Sequence, residues 1–215
     1  HEWFKEACKS VDNPYHDYYI WRKGKGKNGK KPPNNWMSTF EGGAWEYVPS
    51  VDEYYLHVFT KGQPDLNMDN PKVREEVKNV MKFWLDMGVD GFREDVITFI
   101  SKKEGLPSSP YWFPVATGIE KYMHGPHLDE YLLEFKNDVL SKYDCMTVGE
   151  APMMTTKNAL KHITEGPNQH LNMMFHFEHM AADCLSAKMP APAEPSMQPC
   201  PSMLSRNSLP SRICM

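Results

Sequence analysis

The chain has 215 residues and a formal net charge of −4, enough length for one domain with a full core or for parts of two. The mild acidic balance gives no global attraction to nucleic acid or to an anionic membrane, and no apolar run approaches the ~20 residues of a membrane span. Five scattered cysteines, Cys8, Cys145, Cys184, Cys200 and Cys214, form no C-x-x-C pair and no cluster with zinc spacing, which points to a reducing, cytoplasmic setting.

Residues 1 to about 62 are irregular, aromatic and basic, with no long periodic helix. Within them WRKGKGKNGKKPPNNW carries Arg22, Lys23, Lys25, Lys27, Lys30 and Lys31 among glycines. The glycines and Pro32–Pro33 favour a solvated loop or hairpin tip over a nucleic-acid patch. YYLHVF (54–59) reads as a strand. Asn70 then caps a helix with Pro71 at its first position, and Gly88 stands where a helix commonly stops. Between them Val73, Val77, Val80, Met81, Trp84 and Leu85 keep helical spacing, with Lys72, Arg74, Glu75, Lys78 and Lys82 outside. VDGFREDVI follows as a short buried strand. Past a Pro- and Gly-rich loop (105–126), Leu128, Leu132, Phe135 and Val139 mark a second helix. CMTVGEA (145–151) is a second strand, residues 155–165 a third helix ended by Gly166, and LNMMFHFEH (171–179) a third strand.

Helix and strand alternate three times, which implies βα units on a parallel sheet and an α/β fold. No G-x-G-x-x-G follows any of these strands, which disfavours a dinucleotide fold. Polar residues gather at the C-terminal strand ends, where a (β/α)8 TIM barrel keeps its active site. From about Ser186 the chain loses Phe, Tyr and Trp while prolines recur at 190, 192, 195, 199, 201 and 210. Such a segment buries little and is expected to be disordered; the arrest of the βα pattern in mid-repeat reads as non-native sequence. The start at His1 rather than Met reads as an N-terminal truncation.

Two adjacent acids stand in GVDGFREDVITF (88–99). Alternation along a strand puts Arg93, Asp95 and Ile97 on one face and Phe92, Glu94 and Val96 on the other. Arg93 would keep Asp95 ionised and oriented, as a covalent nucleophile requires. Glu150, in TVGEAP, is the one acid in an apolar setting of Val148, Ala151 and Pro152, where desolvation raises a carboxyl as a general acid needs. One ionised and one protonated carboxyl on neighbouring strand ends match retaining glycoside hydrolysis, with an expected separation of roughly 5–5.5 Å. Salt-bridged rim acids are the competing reading of the same pair.

The stretches HEWFKEACKSVDNPYHDYYIWR, PNNW, AWEY, YYLHVF, QPDLNMDNPKVREEV, FWLDMGVDGFREDVITFISK, TVGEAP and GPNQHLNMMFHFEH, in this order, resemble glycoside hydrolase family 13 from residue 1 to about 180. The nearest branch is that of oligo-1,6-glucosidases and α-glucosidases. The resemblance implies a partial (β/α)8 barrel, incomplete at both ends, with a small inserted domain after the third strand. It divides the chain into the inserted domain (1–67), about three barrel strands (68–183) and a disordered tail (184–215). Asp95 would then be the nucleophile, Arg93 its partner and Glu150 the acid/base. Gln63, Phe59 and Phe40 would line the sugar subsite, and Val96 resembles the residue type associated with α-1,6 rather than α-1,4 linkages.

The implied activity is retaining hydrolysis of short α-1,6- or α-1,4-linked gluco-oligosaccharides. Within the family a trehalose-6-phosphate hydrolase or a sucrose isomerase would share most of these motifs; a non-catalytic transporter subunit is the alternative from another class. Retention of Arg93, Asp95 and Glu150 favours the enzymes. The family's early Asp–His motif and its third carboxylate have no counterpart in these residues, so the chain alone is expected to be inactive. Its partner is expected to be an oligosaccharide, with neither nucleic acid nor membrane bound, and the full-length form monomeric. No cofactor or metal site is expected, because His57, His124, His127, His162, His170, His176 and His179 are scattered; His176 and His179 read as rim or structural residues. Glu94 departs from the family, which has an apolar residue there. It must find a Lys, Ser or Thr partner, take up a proton or destabilise the strand.

Overall fold

The computed structural model describes residues 1–40, 42–112 and 116–177; the tail expected to be disordered, and His179, lie outside them. The described residues fall into two compact units, one drawn from residues 1–89 and 98–143, the other from residues 90–97 and 144–177.

In the first unit, a short helix α1 (Glu2–Ala7) precedes three antiparallel strands, β1 (Trp21–Arg22), β2 (Trp45–Val48) and β3 (Glu53–Leu56), in the order β1-β3-β2. Trp21 pairs with Tyr55 and Tyr47 with Tyr54. The strand read over 54–59 stops at Leu56, because the Val58 N–H donates to the Asp65 carboxylate (2.8 Å) instead of joining the ladder. Residues 24–29 have the G-x-G-x-x-G spacing but open no α-helix. Lys25 and Lys31 bridge there, and Gly26 and Gly29 take left-handed φ of 78° and 64°. This is the loop that the glycines imply.

Helix α2 (Pro71–Asp86) begins as its sequence demands: the Asn70 side chain accepts from the Lys72 N–H (2.9 Å) and Pro71 occupies the first position. Gly88 ends it at φ +91°. Its Val73 enters the core of the unit with Tyr18, Tyr19, Trp21, Tyr55, Tyr131 and Phe135. Helix α3 (Leu128–Asp138) supplies the last two of these, and charge ties it to α2. Arg74 Nε donates to Glu134 (2.7 Å), and the buried Lys78 ammonium reaches Glu134 (3.0 Å) and Asp138 (2.8 Å).

The second unit holds a parallel sheet β4-β5-β6: β4 (Gly91–Glu94), β5 (Met146–Glu150) and β6 (Met173–Phe175). Helix α4 (Thr156–Ile163) connects β5 to β6, capped by Thr155. The alternation of helix and parallel strand is as expected. The burial of β4 is not: Gly91, Phe92 and Glu94 are half-buried and Arg93 is exposed. Among the described residues β4 pairs only with β5, so it is an edge strand. Gly91 starts it at φ +147°, and a Cβ there would fall 1.8 Å from the Met146 carbonyl oxygen. Among the described residues no helix is long and apolar enough to cross a membrane.

Candidate active site

The C-terminal ends of β4 and β5 bring three charged groups together. Arg93 Nη1 donates to Asp95 Oδ1 at 2.5 Å, and Nη2 donates to Glu150 Oε2. Asp95 lies in the turn directly after β4, so the strand ends at Glu94, three residues short of the Ile97 that the alternation assumed, yet Asp95 still shares the Arg93 side. The two carboxylates sit in unlike surroundings: the Asp95 side chain is 70% exposed and that of Glu150 is 9% exposed. Phe175, opposite Glu150 in the β5–β6 register, lies under the Arg93 guanidinium, 5.7 Å from the ring centroid. The Ala151 N–H donates to the Phe175 carbonyl (2.8 Å) and holds the two strand ends together.

Burial pushes the Glu150 carboxyl above the usual carboxylate range, and a side-chain contact with Asp95 adds to that. The Arg93 charge and the Val96 backbone N–H pull it back down without cancelling the rise. The arrangement therefore offers a buried acid that keeps its proton to higher pH, beside an exposed carboxylate held by a guanidinium. Arg93 draws both carboxyls onto one fork, Asp95 through Nη1 and Glu150 through Nη2.

Val96 contributes through its backbone as well as its position. It sits at φ +39°, an outlying conformation for a β-branched residue, and its N–H faces Glu150. Phe40, Phe59 and Gln63 belong to the first unit. Phe40 is exposed and faces Phe59 with ring centroids 5.9 Å apart, and Phe59 stacks on Phe99 at 6.1 Å. Gln63 is exposed and accepts from the Thr60 hydroxyl at 3.2 Å.

Glu94 faces away from the cluster, as alternation requires. Of the outcomes open to it, proton uptake is the one the surroundings favour: Oε2 is buried with no hydrogen-bond partner among the described residues, and desolvation pushes the carboxyl up to about 7. Two features escaped the sequence: Phe175 and a contact between two histidines. Phe175 needed the β5–β6 register, for which only the aromatic end of the third strand gives a hint. The histidines read as scattered include one close pair, His162 and His170, whose Nδ1 atoms lie 2.8 Å apart. The chain turns back between α4 and β6, so their separation of eight residues in sequence concealed the contact.

Parallel strands joined by helices, with the charged groups at the C-terminal strand ends, define an α/β protein. A protein-family model described as the alpha amylase catalytic domain matches residues 1–204. The oligo-1,6-glucosidase of Parageobacillus thermoglucosidasius is 56% identical over 187 residues, covering 85% of this chain and 32% of that protein. The alpha-glucosidase of Schizosaccharomyces pombe is 42% identical over 190 residues, with 85% and 32% covered. The crystal structure of Bacillus licheniformis trehalose-6-phosphate hydrolase superposes with a TM-score of 0.79 at 42% identity, again over 85% of this chain and 32% of the other. The chain belongs to the alpha-amylase family, glycoside hydrolase family 13, and spans about a third of the length of the curated relatives it matches.

Proposed function

We propose that the protein of which this chain forms part is a retaining α-glucosidase acting on short α-1,6- or α-1,4-linked gluco-oligosaccharides. The observation that carries this reading is the single arginine holding one exposed and one buried, proton-retaining carboxyl on adjacent strand ends. Glu150 donates its proton to the glycosidic oxygen as the Asp95 carboxylate attacks the anomeric carbon; the aglycone leaves and a glucosyl-enzyme ester forms. Glu150, now ionised, takes a proton from water, whose oxygen attacks the same carbon, breaks the ester and releases glucose with retained configuration. Phe175 backs the Arg93 guanidinium, so the fork keeps its aim when one carboxyl becomes an ester.

In this reading residues 1–67 form a small domain inserted after the third strand of a (β/α)8 barrel and residues 68–183 supply part of that barrel. Gln63, Phe59 and Phe40 line the sugar subsite, and the Val96 side chain tunes the linkage accepted. The likeness to trehalose-6-phosphate hydrolase supports a second substrate within the same chemistry. Comparing isomaltose, sucrose and trehalose 6-phosphate as substrates of the whole protein separates the readings. Asp95→Asn should lower kcat on the preferred sugar by roughly 10⁴-fold or more; retained turnover in that variant overturns the assignment. The 215-residue chain by itself should not hydrolyse p-nitrophenyl α-glucoside, and hydrolysis lost in Asp95→Asn would overturn that expectation.

A further inference from the structure

His162 lies in the last turn of α4 and His170 in the segment that leads into β6. The backbone clamps them together: the N–H groups of His170 and Leu171 both donate to the His162 carbonyl, at 2.8 and 3.0 Å. Both rings are buried, at 4% and 7% exposure, with centroids 5.0 Å apart and planes inclined by 53°. Their Nδ1 atoms face each other at 2.8 Å. Two lone pairs, or two protons, at that distance repel, so one Nδ1 carries a proton and the other accepts it. This pair has no part in the chemistry assigned to Arg93, Asp95 and Glu150.

We propose that His162 and His170 form a binding site for one borderline divalent transition-metal ion, which replaces the shared proton. Each Nδ1 would donate a lone pair at roughly 2.0–2.1 Å, which asks the two atoms to part by only a few tenths of an ångström. The displaced proton moves through water to Nε2 of its own ring. Two neutral imidazoles then ligate the ion and no net proton is released. Water completes the coordination. Two nitrogen donors suit Zn²⁺, Ni²⁺, Co²⁺ and Cu²⁺ and do not suit Mg²⁺ or Ca²⁺, which take oxygen. The backbone clamp prepays much of the ordering that two free imidazoles would need. Thr164 to Asn168, all exposed, form the turn between the two ligands, so the ion would fasten the end of α4 to the start of β6.

Calorimetric titration of the EDTA-treated, dialysed protein with ZnCl2 tests the site. One equivalent should bind, MgCl2 should give no heat, and His162→Asn and His170→Asn should each weaken binding at least tenfold. The chain has nine histidines, so His176→Asn and His1→Ala serve as controls that should leave binding unchanged. Absence of binding, or binding that survives both pair variants, overturns the proposal, as does binding lost with His1→Ala. Where a pair variant fails to fold, modification of the unaltered protein by diethylpyrocarbonate decides. Zn²⁺ should protect His162 and His170 selectively, and protection confined to other histidines refutes the site.

Discussion

Replacing Glu94 by methionine should stabilise the protein, and the gain should depend on pH. Glu94 Oε2 is buried without a partner and the carboxyl is pushed up to about 7 from an ordinary 4.5 by desolvation. At 1.36 kcal/mol per pH unit, that displacement corresponds to roughly 3 kcal/mol between the two protonation states. The unfolded chain ionises from 4.5 upward while the folded chain keeps the proton until about 7. The folded state is therefore relatively stabilised below 4.5, loses that advantage progressively as pH rises, and carries the whole penalty above 7. Cys145 is the titratable neighbour that feels the Glu94 charge; its own thiol is raised chiefly by burial, with Asp144 and then Glu94 adding. Urea unfolding of the parent and Glu94→Met proteins at pH 5, 6, 7 and 8 measures the difference. The variant should be only slightly favoured at pH 5 and favoured by up to roughly 3 kcal/mol at pH 8. Methionine has a volume close to that of glutamate, so the comparison changes charge far more than packing. A difference that stays flat across this range would refute the reasoning, because it would mean that Glu94 finds a partner or water in the folded protein.

Gly91→Ala should be severely destabilising, by roughly 3 kcal/mol or more, because its Cβ would meet the Met146 carbonyl at 1.8 Å in a backbone at φ +147°; thermal unfolding measures it. Asn70→Ala should cost about 1 kcal/mol for the lost cap, plus the two bonds from Asn70 Nδ2 to Asp17 at 3.1 and 3.0 Å; a shift in urea midpoint at unchanged slope checks this. Lys78→Met should cost roughly 1–2 kcal/mol. Burial opposes the ammonium charge there, but Asp138, Glu75 and Glu134 together outweigh it and raise the group. The loss should shrink at low pH, where those carboxylates take up protons and no longer offset the burial of the ammonium, which stays charged. Asp95→Asn should let Glu150 titrate at lower pH than in the parent, because a contact that raises it is replaced by an amide donor; carbon NMR of the labelled carboxyl reads this directly.

How far the site was legible follows from which interactions are local. Asn70, Pro71 and the apolar spacing of Val73 to Leu85 specify α2 within one stretch of chain, and the helix forms between those bounds. Arg93 and Asp95 stand two residues apart, so alternation alone pairs them; the pairing survives although the strand ends at Glu94, since the turn keeps the Asp95 side chain on the Arg93 side. The apolar neighbours of Glu150 likewise announce its raised carboxyl, and burial is the largest cause found. What could not be read depends on register and chain reversal. The second arm of Arg93 reaches Glu150 only because β4 and β5 pair in parallel, with Arg93 level with Val148. Short elements also escaped: α1 has six residues and β2 has four, too few for a period to declare itself.

Glu94 and Val96 flank the proposed nucleophile and depart from local preference in opposite ways. Val96 adopts a left-handed conformation that a β-branched residue disfavours, yet its N–H gains a carboxylate, so the strain has a local return. Glu94 puts a carboxyl where it gains nothing that the described residues supply. Local conflicts that persist in a folded protein tend to mark function or an uncompensated substitution. Val96 fits the first description, since its conformation turns the chain so that Asp95 meets the guanidinium and the backbone N–H meets the acid. Glu94 fits the second. The two cases predict opposite responses to relief: Val96→Gly should ease the strain and loosen the Asp95–Glu150 geometry, whereas Glu94→Met should raise stability and leave that geometry unchanged.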